Sequence, residues 1–380
     1  MIPLSIPNLC GNEKRYLAEC IDSSFVSTVG PFVGRFEAMT AAAAGAEAAV
    51  ATSAGTTGLH LSLLACGVLP GDLVVLPSFT FIASANAISH CGATPWLMDV
   101  DAGSWTLNPA LLADELRRST APGPDGLIHV PSGRRVSAIL VVYTLGMPAD
   151  MDRIMGIAEQ YGLPVVADAA AALGADYKGR NLGSLGPILS VFSFNGNKTV
   201  TCGGGGAVVG AAGPVLDMVR HLSGTARIGS DYTHDRVGFN YRMTNVEAAV
   251  GCAQMENLDR FVTAKRDIHR RYNEALIGHA GLTAFPDPEW ANSACWFSGV
   301  IVPESGVDPV ELRRRLNEQG IEARPFWKPL YLQQPYKDVP CSKQTVSEGI
   351  WSRIVTLPCS TGLSRADQDR VINAVLDATR

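Results

Sequence analysis

Residues 138–168 read AILVVYTLGMPADMDRIMGIAEQYGLPVVAD, a pattern from which the architecture can be predicted. An apolar run from Ala138 to Tyr143 is followed by a helical pattern from about Met151 to Tyr161, and then by a second apolar run from Pro164 to Ala167. Two buried strands that flank one helix are most economically arranged as parallel neighbours joined by a crossover helix. The segment therefore predicts an α/β protein whose functional loops lie at the strand ends.

The same alternation of strands and helices extends over about residues 48–210. Apolar runs predict strands over 73–76, 94–98 and 188–194. Helical patterns predict helices over 58–66 and 81–89. Residues 121–135 are rich in proline and glycine. We interpret them as a surface excursion, because the rhythm resumes directly after them.

The pattern changes after about residue 255. A long charged helix is predicted over 255–277, followed by a strand near 295–302 and a helix near 309–319. We therefore expect two domains. A large α/β domain with a mostly parallel sheet covers residues 1–255, including the N-terminal segment, and a smaller α+β domain covers residues 256–380.

Composition narrows the class of protein. The chain has 380 residues, 47% of them hydrophobic and 18% charged, which suits a globular protein with a large core. A net charge of -5 provides no basic stripe for general nucleic-acid binding. Nine cysteines without CxxC pairs indicate free thiols and a cytoplasmic location. Neither the segment Met1–Pro7 nor the Ala-rich segment 41–66 has the character of a signal peptide or a membrane span.

Residues 190–206 read SVFSFNGNKTVTCGGGG, and Lys198 within them is the strongest candidate for a reactive group. It follows a predicted strand end, in a turn of small polar residues, where a lysine can approach a planar cofactor closely and form a Schiff base. Alone, such a lysine is more often a solvated loop residue. Thirty residues upstream, however, another predicted strand ends in Asp168, and a carboxylate is the partner that a pyridinium nitrogen requires. The two residues together favour a cofactor site.

Two further features fit such a site. Residues 53–60 open a helix with small and hydroxyl-bearing residues that can bind a phosphate, although an ordinary helix cap is the commoner explanation for them in isolation. Phe81 can lie flat on a heteroaromatic ring or pack in the core. Gly203–Gly206 lack the GxGxxG spacing of a dinucleotide loop. The cysteines and histidines form no ligand cluster, so no metal is predicted.

Five motifs in chain order carry a resemblance to a known family. They are Gly55–Thr57, Pro77–Phe81, Asp168–Ala170, Ser193–Lys198 and Gly238–Arg242. In this order they resemble the DegT/DnrJ/EryC1/StrS family of sugar aminotransferases that depend on pyridoxal phosphate. SFNGNK at 193–198, together with FVSTVG at 25–30, looks most like the branch that makes 4-amino sugars for bacillosamine and legionaminic acid. The resemblance runs from Ile2 to about Ile372 and implies the fold type I of pyridoxal phosphate enzymes.

The resemblance implies a role for each motif residue. Lys198 would form the Schiff base with pyridoxal 5′-phosphate, Asp168 would pair with the pyridinium nitrogen, and Phe81 would cover the ring. The phosphate would be held by a set of small and hydroxyl-bearing residues, namely Gly55, Thr56, Thr57 and Ser193. Asn240 would reach across from a partner subunit, so we expect a homodimer with shared active sites.

Two positions depart from the family pattern. Three residues after Asp168, where many relatives carry Gln, His or Glu near the phenolic oxygen of the cofactor, this chain has Ala171. Tyr143 stands where many relatives have histidine. A contact to the cofactor is therefore either missing or supplied by another residue.

The resemblance implies transamination: glutamate would donate the amino group, and C4 of a nucleotide-linked 4-keto-6-deoxy sugar would receive it. The branch implies UDP as the nucleotide, and a GDP-linked sugar would satisfy the same charges. Arg324, Trp327 and Lys328 are candidate substrate contacts, with an ordinary surface loop as the alternative. Two other functions stay open, a dehydratase that uses the same cofactor and a regulatory or binding protein without turnover. Related dehydratases carry histidine at the lysine position, which Lys198 argues against, and the presence of both Asp168 and Lys198 argues against a mere binder.

Overall fold

The computed structural model describes all 380 residues. Its α-helices are α1 (Glu13–Asp22), α2 (Pro31–Ala44), α3 (Gly55–Ala65), α4 (Ile82–His90), α5 (Pro109–Ser119), α6 (Met151–Tyr161), α7 (Pro214–Ser223), α8 (Asn245–Met255), α9 (Leu258–Leu276), α10 (Pro309–Glu318), α11 (Val346–Ile350) and α12 (Arg365–Ala378). Its strands are β1 (Ala48–Thr52), β2 (Leu73–Pro77), β3 (Thr94–Met98), β4 (Thr120–Gly123), β5 (Gly126–His129), β6 (Arg134–Val142), β7 (Val165–Asp168), β8 (Asp176–Tyr177), β9 (Arg180–Asn181), β10 (Leu189–Ser193), β11 (Gly206–Gly210), β12 (Arg227–Ile228), β13 (Thr233–His234), β14 (Ala291–Asn292), β15 (Ser298–Ile301), β16 (Arg324–Pro325) and β17 (Ile354–Leu357).

A nine-stranded sheet organises the first two thirds of the chain. Seven strands follow the order β1-β11-β10-β7-β6-β2-β3, and the hairpin of β4 and β5 joins through β6. From β10 to β3 all neighbours are parallel, whereas β11 runs antiparallel to both of its neighbours. Because parallel strands end at the same edge, the residues after β6, β7 and β10 meet in space.

Helices cover both faces of this sheet, which explains the continuous apolar runs in its strands. In β2 every residue is buried. Leu73 and Val75 join the core on one face with helices such as α2 and α6, and Val74 and Leu76 join the core on the other face with α3 and α4. In the segment that predicted the fold, α6 ends at Gly162, whose φ of 63° is the left-handed conformation that glycine adopts without strain.

The C-terminal part has its own small sheet and core. Strands β15, β17 and β16 form an antiparallel sheet, and α9, α10 and α12 contribute to the same buried cluster. Ile2 and Leu4 also belong to that cluster, the backbone N–H of Ile2 donating to Gly320 O at 2.7 Å. The domain limit between residues 255 and 256 stays a prediction, and the first residues of the chain pack on the C-terminal part.

The predicted α/β class with a mostly parallel sheet is confirmed, and so are individual elements. The strand over 94–98 and the helix over 151–161 have the expected limits. The excursion at 121–135 proved more ordered than expected, since it contains β4 and β5 and extends the sheet through β5 and β6. The helix expected over 255–277 begins at Leu258, after a separate α8. None of the helices has the length and apolar character required to cross a bilayer.

Candidate active site

A cavity of about 500 Å³ lies at the carboxyl edge of the central strands. The last residues of β7 and β10 and the residue after β6 line it, as do the first residues of α3. Residues next to β15 and in β16 close it from the C-terminal part. The carboxyl edge of a parallel sheet is where ligands bind in open α/β folds, and the positive end of a helix favours an anion there.

Asp168 provides a buried carboxylate at the floor of the cavity, with 6% of its surface exposed. Ser84 in α4 donates its hydroxyl hydrogen to Asp168 Oδ2 at 2.6 Å, and the N–H of Ala170 donates to Oδ1 at 3.1 Å. Burial raises the pKa of Asp168, while these two hydrogen bonds and the charge of Lys198 oppose that shift because they stabilise the carboxylate. Ser84, the N–H of Ala170 and Lys198 therefore all favour the charged form of Asp168.

Lys198 lies in the loop between β10 and β11 and faces the same cavity. Its Nζ stands 3.8 Å from the ring centroid of Trp296, a cation–π distance. The indole N–H of Trp296 donates to Asn197 O at 2.8 Å, so the tryptophan also fixes the lysine loop. Burial lowers the pKa of Lys198 to about 8, Asp168 opposes this shift, and the charge of Lys265 adds to it. At pH 7 about a tenth of the amine is therefore neutral and nucleophilic, far more than for a lysine with its ordinary pKa.

The expected phosphate residues lie together at the start of α3, with one exception. Gly55, Thr56 and Ser193 line the cavity. A Cβ on Gly55 would stand 2.9 Å from the Cβ of Ser193, so the close approach of α3 to β10 requires glycine there. Thr57 does not line the cavity, because its hydroxyl bonds the backbone of Ala54 in the first turn of the helix.

Aromatic side chains form one wall of the cavity. Phe81 is 56% exposed and its ring centroid lies 6.3 Å from that of Trp327. Trp327 stacks on Phe326 at 4.3 Å and approaches Trp296 at 5.9 Å. An open aromatic face at Phe81 suits contact with a planar ring, which stays a prediction, and Trp327 lies beside it.

The remaining predicted residues are distributed around the site. Arg324 lines the cavity and pairs with Glu322. Lys328 does not line it, and its Nζ lies 6.0 Å from the ring of Trp351. Asn240 is exposed outside the cavity, where its backbone pairs with Gly224. Its contact with a partner subunit stays a prediction.

Sequence reasoning missed three residues that shape the site. Ser84 holds the Asp168 carboxylate, Trp296 packs against Lys198, and the buried Lys265 donates to Trp296 O at 2.9 Å. No motif marks them, since each belongs to an element distant in the chain from the residue it contacts. The two departures, Tyr143 and Ala171, both line the cavity.

The chain matches the DegT/DnrJ/EryC1/StrS aminotransferase family over residues 7–376. The match covers nearly the whole of both parts of the structure, including every residue of the predicted cofactor site. The chain belongs to this family. The family assignment made from the five motifs is thereby confirmed.

Individual relatives of this DegT/DnrJ/EryC1/StrS member align over almost their entire length. It is 36% identical over 380 residues to a GDP-perosamine synthase of Caulobacter vibrioides, with 98% of this chain and 97% of the relative covered. It is 35% identical over 380 residues to EpsN of Bacillus subtilis, assigned as a pyridoxal phosphate-dependent aminotransferase, with coverages of 99% and 95%. The structure of DesI, determined in the presence of its TDP-sugar product, superposes with a TM-score of 0.86 at 28% identity, with coverages of 100% and 92%. The expected enzyme class and fold type are confirmed.

The cofactor of this family member is pyridoxal 5′-phosphate, as the resemblance implied. The residues of the cavity fit that group. It carries a basic ring nitrogen, an aldehyde and a phosphate, and the cavity offers a buried carboxylate on Asp168, an amine on Lys198 and the start of α3 beside Gly55. The hydroxyl of Tyr143 is buried and has no hydrogen-bond partner within the chain, which leaves one polar group for a ligand.

Proposed function

We propose that this sugar aminotransferase transfers the amino group of glutamate to C4 of a nucleotide-linked 4-keto-6-deoxy sugar. The observation that carries the proposal is the convergence of Lys198 and Asp168 in one cavity, where the amine is close to half neutral at mildly alkaline pH and the carboxylate is held by Ser84. Amine and carboxylate are the two groups that pyridoxal phosphate chemistry requires of a protein.

Each residue has a defined task in this proposal. Lys198 would hold the cofactor covalently, and its Nζ, once released, would move a proton at the substrate carbon that bears the amino group. Asp168 would keep the ring nitrogen protonated, and Phe81 would cover the ring. Pyridoxal phosphate, when bound, would supply an electron sink beside that carbon. Gly55, Thr56, Thr57 and Ser193 would hold the phosphate, Thr57 through the helix that its hydroxyl caps.

The substrate class rests on the relatives and on the cavity mouth. One relative is named a GDP-perosamine synthase, and DesI was crystallised with a TDP-sugar product. Arg324 and Trp327, on the C-terminal side of the cavity, offer charge for a diphosphate and an aromatic face for a sugar or base. Lys328 lies outside the cavity and is proposed only as a contact at its rim. The resemblance to the bacillosamine and legionaminic acid branch implies UDP as the nucleotide of the substrate. The name of the Caulobacter relative favours GDP instead.

We also propose a homodimer with shared active sites in the cytoplasm. The segment before Asn240 forms a surface hairpin, β12–β13, near which Tyr232 and Val237 expose most of their apolar surface. Apolar side chains grouped in this way favour contact with another subunit. All nine cysteines are free thiols, which suits a reducing compartment.

Glutamate-dependent amination tests the proposal directly. Purified enzyme loaded with pyridoxal phosphate would be incubated with glutamate and 4-keto sugars linked to UDP or GDP, and 2-oxoglutarate and the amino sugar measured by mass spectrometry. A 4-amino product with stoichiometric 2-oxoglutarate supports transamination. Loss of a hydroxyl group without 2-oxoglutarate would indicate the dehydratase, and a cofactor-free protein would indicate a binder. Equal rates with a free keto sugar would contradict nucleotide recognition.

A further inference from the structure

The indole ring of Trp296 is fixed in the wall of the cavity. Its N–H donates to Asn197 O at 2.8 Å, and the ring stacks on Phe297 with centroids 4.0 Å apart. The backbone carbonyl of Trp296 accepts a hydrogen bond from Lys265 Nζ at 2.9 Å. The side chain is only 3% exposed and lines the cavity. A buried ring that is held at its N–H edge, at its backbone and by a stacked neighbour has little freedom to move.

The face of this ring is in contact with the active-site amine, since Nζ of Lys198 lies 3.8 Å from the ring centroid. An aromatic face carries the negative part of the ring's quadrupole, and tryptophan attracts a cation more strongly than the other aromatic side chains do. The attraction is greatest where water is excluded. A neutral amine gains little from the same face, so this position of Nζ suits the charged form of Lys198.

The proposed reaction requires the amine of Lys198 in two places. It would be bonded to the cofactor at one stage, and at another it would be free to move a proton at the substrate carbon. A free lysine side chain is flexible and loses entropy when it is held in one geometry, so a defined position needs a partner. The nearby carboxylate of Asp168 is bonded by Ser84 and by the N–H of Ala170 rather than by Lys198. The ring face is the partner that the structure offers.

We propose that Trp296 is a positioning residue that receives the released amine of Lys198 and holds it as an ammonium group on its ring face. The inference deepens the proposed function and rests on the assignment of Lys198 as the amine that binds the cofactor. An ammonium group held there can return its proton without leaving the site. Trp296 would thus serve the reaction through Lys198, without touching the substrate.

The other charged groups around Lys198 act in both directions. Burial lowers the pKa of Lys198 to about 8, the carboxylate of Asp168 from β7 opposes that shift, and the charge of Lys265 from α9 adds to it. Arg324 in β16 is a further cation that lines the cavity. The ring face of Trp296 acts in the same direction as Asp168, because it favours the ammonium form. Weakening the negative potential of the ring should therefore lower the pKa of Lys198.

Fluorinated tryptophans test the ring face with little change in the shape of the side chain. Each fluorine withdraws electron density from the ring and weakens its attraction for a cation, while the indole N–H that bonds Asn197 O is retained. Analogues with one to four fluorine atoms would replace Trp296 in the full-length protein by suppression of a stop codon. The same analogues in place of Trp105 are the matched control, since Trp105 is buried in the same apolar cluster but does not line the cavity.

Three quantities would be measured for each protein. NMR titration of lysine labelled with ¹³C at Cε gives the pKa of Lys198 in the apoprotein, with Lys198→Arg identifying the signal. Absorbance gives the rate at which the apoprotein captures pyridoxal phosphate at pH 7. Turnover of the loaded enzyme at the same pH gives kcat.

We expect the pKa of Lys198 to fall stepwise with the number of fluorine atoms at Trp296, by about 0.5 to 1.5 units for the fully fluorinated ring. Capture at pH 7 should become about three- to eightfold faster, because more of the amine is neutral, whereas kcat should fall by up to about fourfold, because less of it is charged. A change that merely loosened the site would not speed capture. Fluorination of Trp105 should leave all three quantities unchanged.

An unshifted pKa across the folded Trp296 series, or an equal shift in the Trp105 series, would overturn the inference and leave Trp296 a packing residue of the cavity wall. An error in the proposed function is visible separately, since borohydride would then fix the cofactor to another lysine in the unsubstituted protein.

Discussion

Replacement of Ser84 by alanine is expected to reduce kcat/KM by about ten- to a hundredfold without unfolding the protein. Ser84 Oγ donates to Asp168 Oδ2 at 2.6 Å, and both residues are buried. A hydrogen bond to a charged group contributes about 1.5–3 kcal/mol. At 1.36 kcal/mol per unit, its loss raises the pKa of Asp168 by about 1–2 units. Burial already raises this pKa, and Ser84 is the largest influence that opposes it.

The sign of the pH effect follows from that balance. The Ser84 hydrogen bond stabilises the carboxylate and so lowers the pKa of Asp168, and its removal lets the carboxyl hold its proton to a higher pH. Activity requires the charged form, because only a carboxylate keeps the cofactor's ring nitrogen protonated. The acid limb of the rate profile should therefore move to higher pH in Ser84→Ala, and part of the lost activity should return on raising the pH.

The assay is kcat/KM between pH 5 and 9 for the wild type, Ser84→Ala and a matched control, with thermal melting of each protein. Ser62→Ala is the control, since Ser62 is equally buried and donates to Gly58 O at 2.7 Å without touching the cavity. It should retain the wild-type profile. A folded Ser84→Ala enzyme with an unshifted acid limb and full activity would refute the role assigned to Ser84, that of stabilising the charged form of Asp168.

Three further predictions concern the assigned residues. Borohydride reduction of the holoenzyme should fix the cofactor to the peptide that contains Lys198, and Lys198→Ala should lose turnover; a label on another lysine would remove the central assignment. Asp168→Asn should melt close to the wild type but lose about ten- to a hundredfold or more in activity, because an amide cannot stabilise the protonated ring nitrogen; full activity would show that the carboxylate does not serve the ring. Mixed dimers of Lys198→Ala with Asn240→Ala should regain partial activity, since one of the two sites then has both intact residues; no recovery after proven subunit exchange would count against shared sites.

The fold was predictable because its signals are local. The strand over 94–98 and the helix over 151–161 follow from short-range periodicity, and Gly162 marks the end of that helix. The hairpin of β4 and β5 was missed because prolines and glycines indicate turns, and they do not reveal that Leu127 will pair with Val136. Pairing between segments depends on the assembled sheet.

The site was predictable only where one residue carries the chemistry. Asp168 and Lys198 stand at strand ends, where parallel topology brings them together. Ser84 and Trp296 act through contacts that span about a quarter of the chain, and Lys265 resembles an ordinary charge of an amphipathic helix. Whether Thr57 binds the phosphate or caps the helix could not be decided from the sequence, because the residue types that bind an anion at the start of a helix are the same types that cap it.

The position of the first residues has a consequence for the order of folding. Leu4 lines the cavity, and its carbonyl oxygen accepts a hydrogen bond from the N–H of Cys359. Ser5 reaches the carbonyl of Asn197 in the lysine loop. The first of these bonds joins residues 359 and 4, and contacts so far apart in the chain can form only after a long loop has closed. We therefore expect this wall of the cavity to form late. During synthesis on the ribosome, the large sheet can assemble before the partner of Leu4 near residue 359 has been made. In refolding, helical circular dichroism should therefore recover before catalysis does.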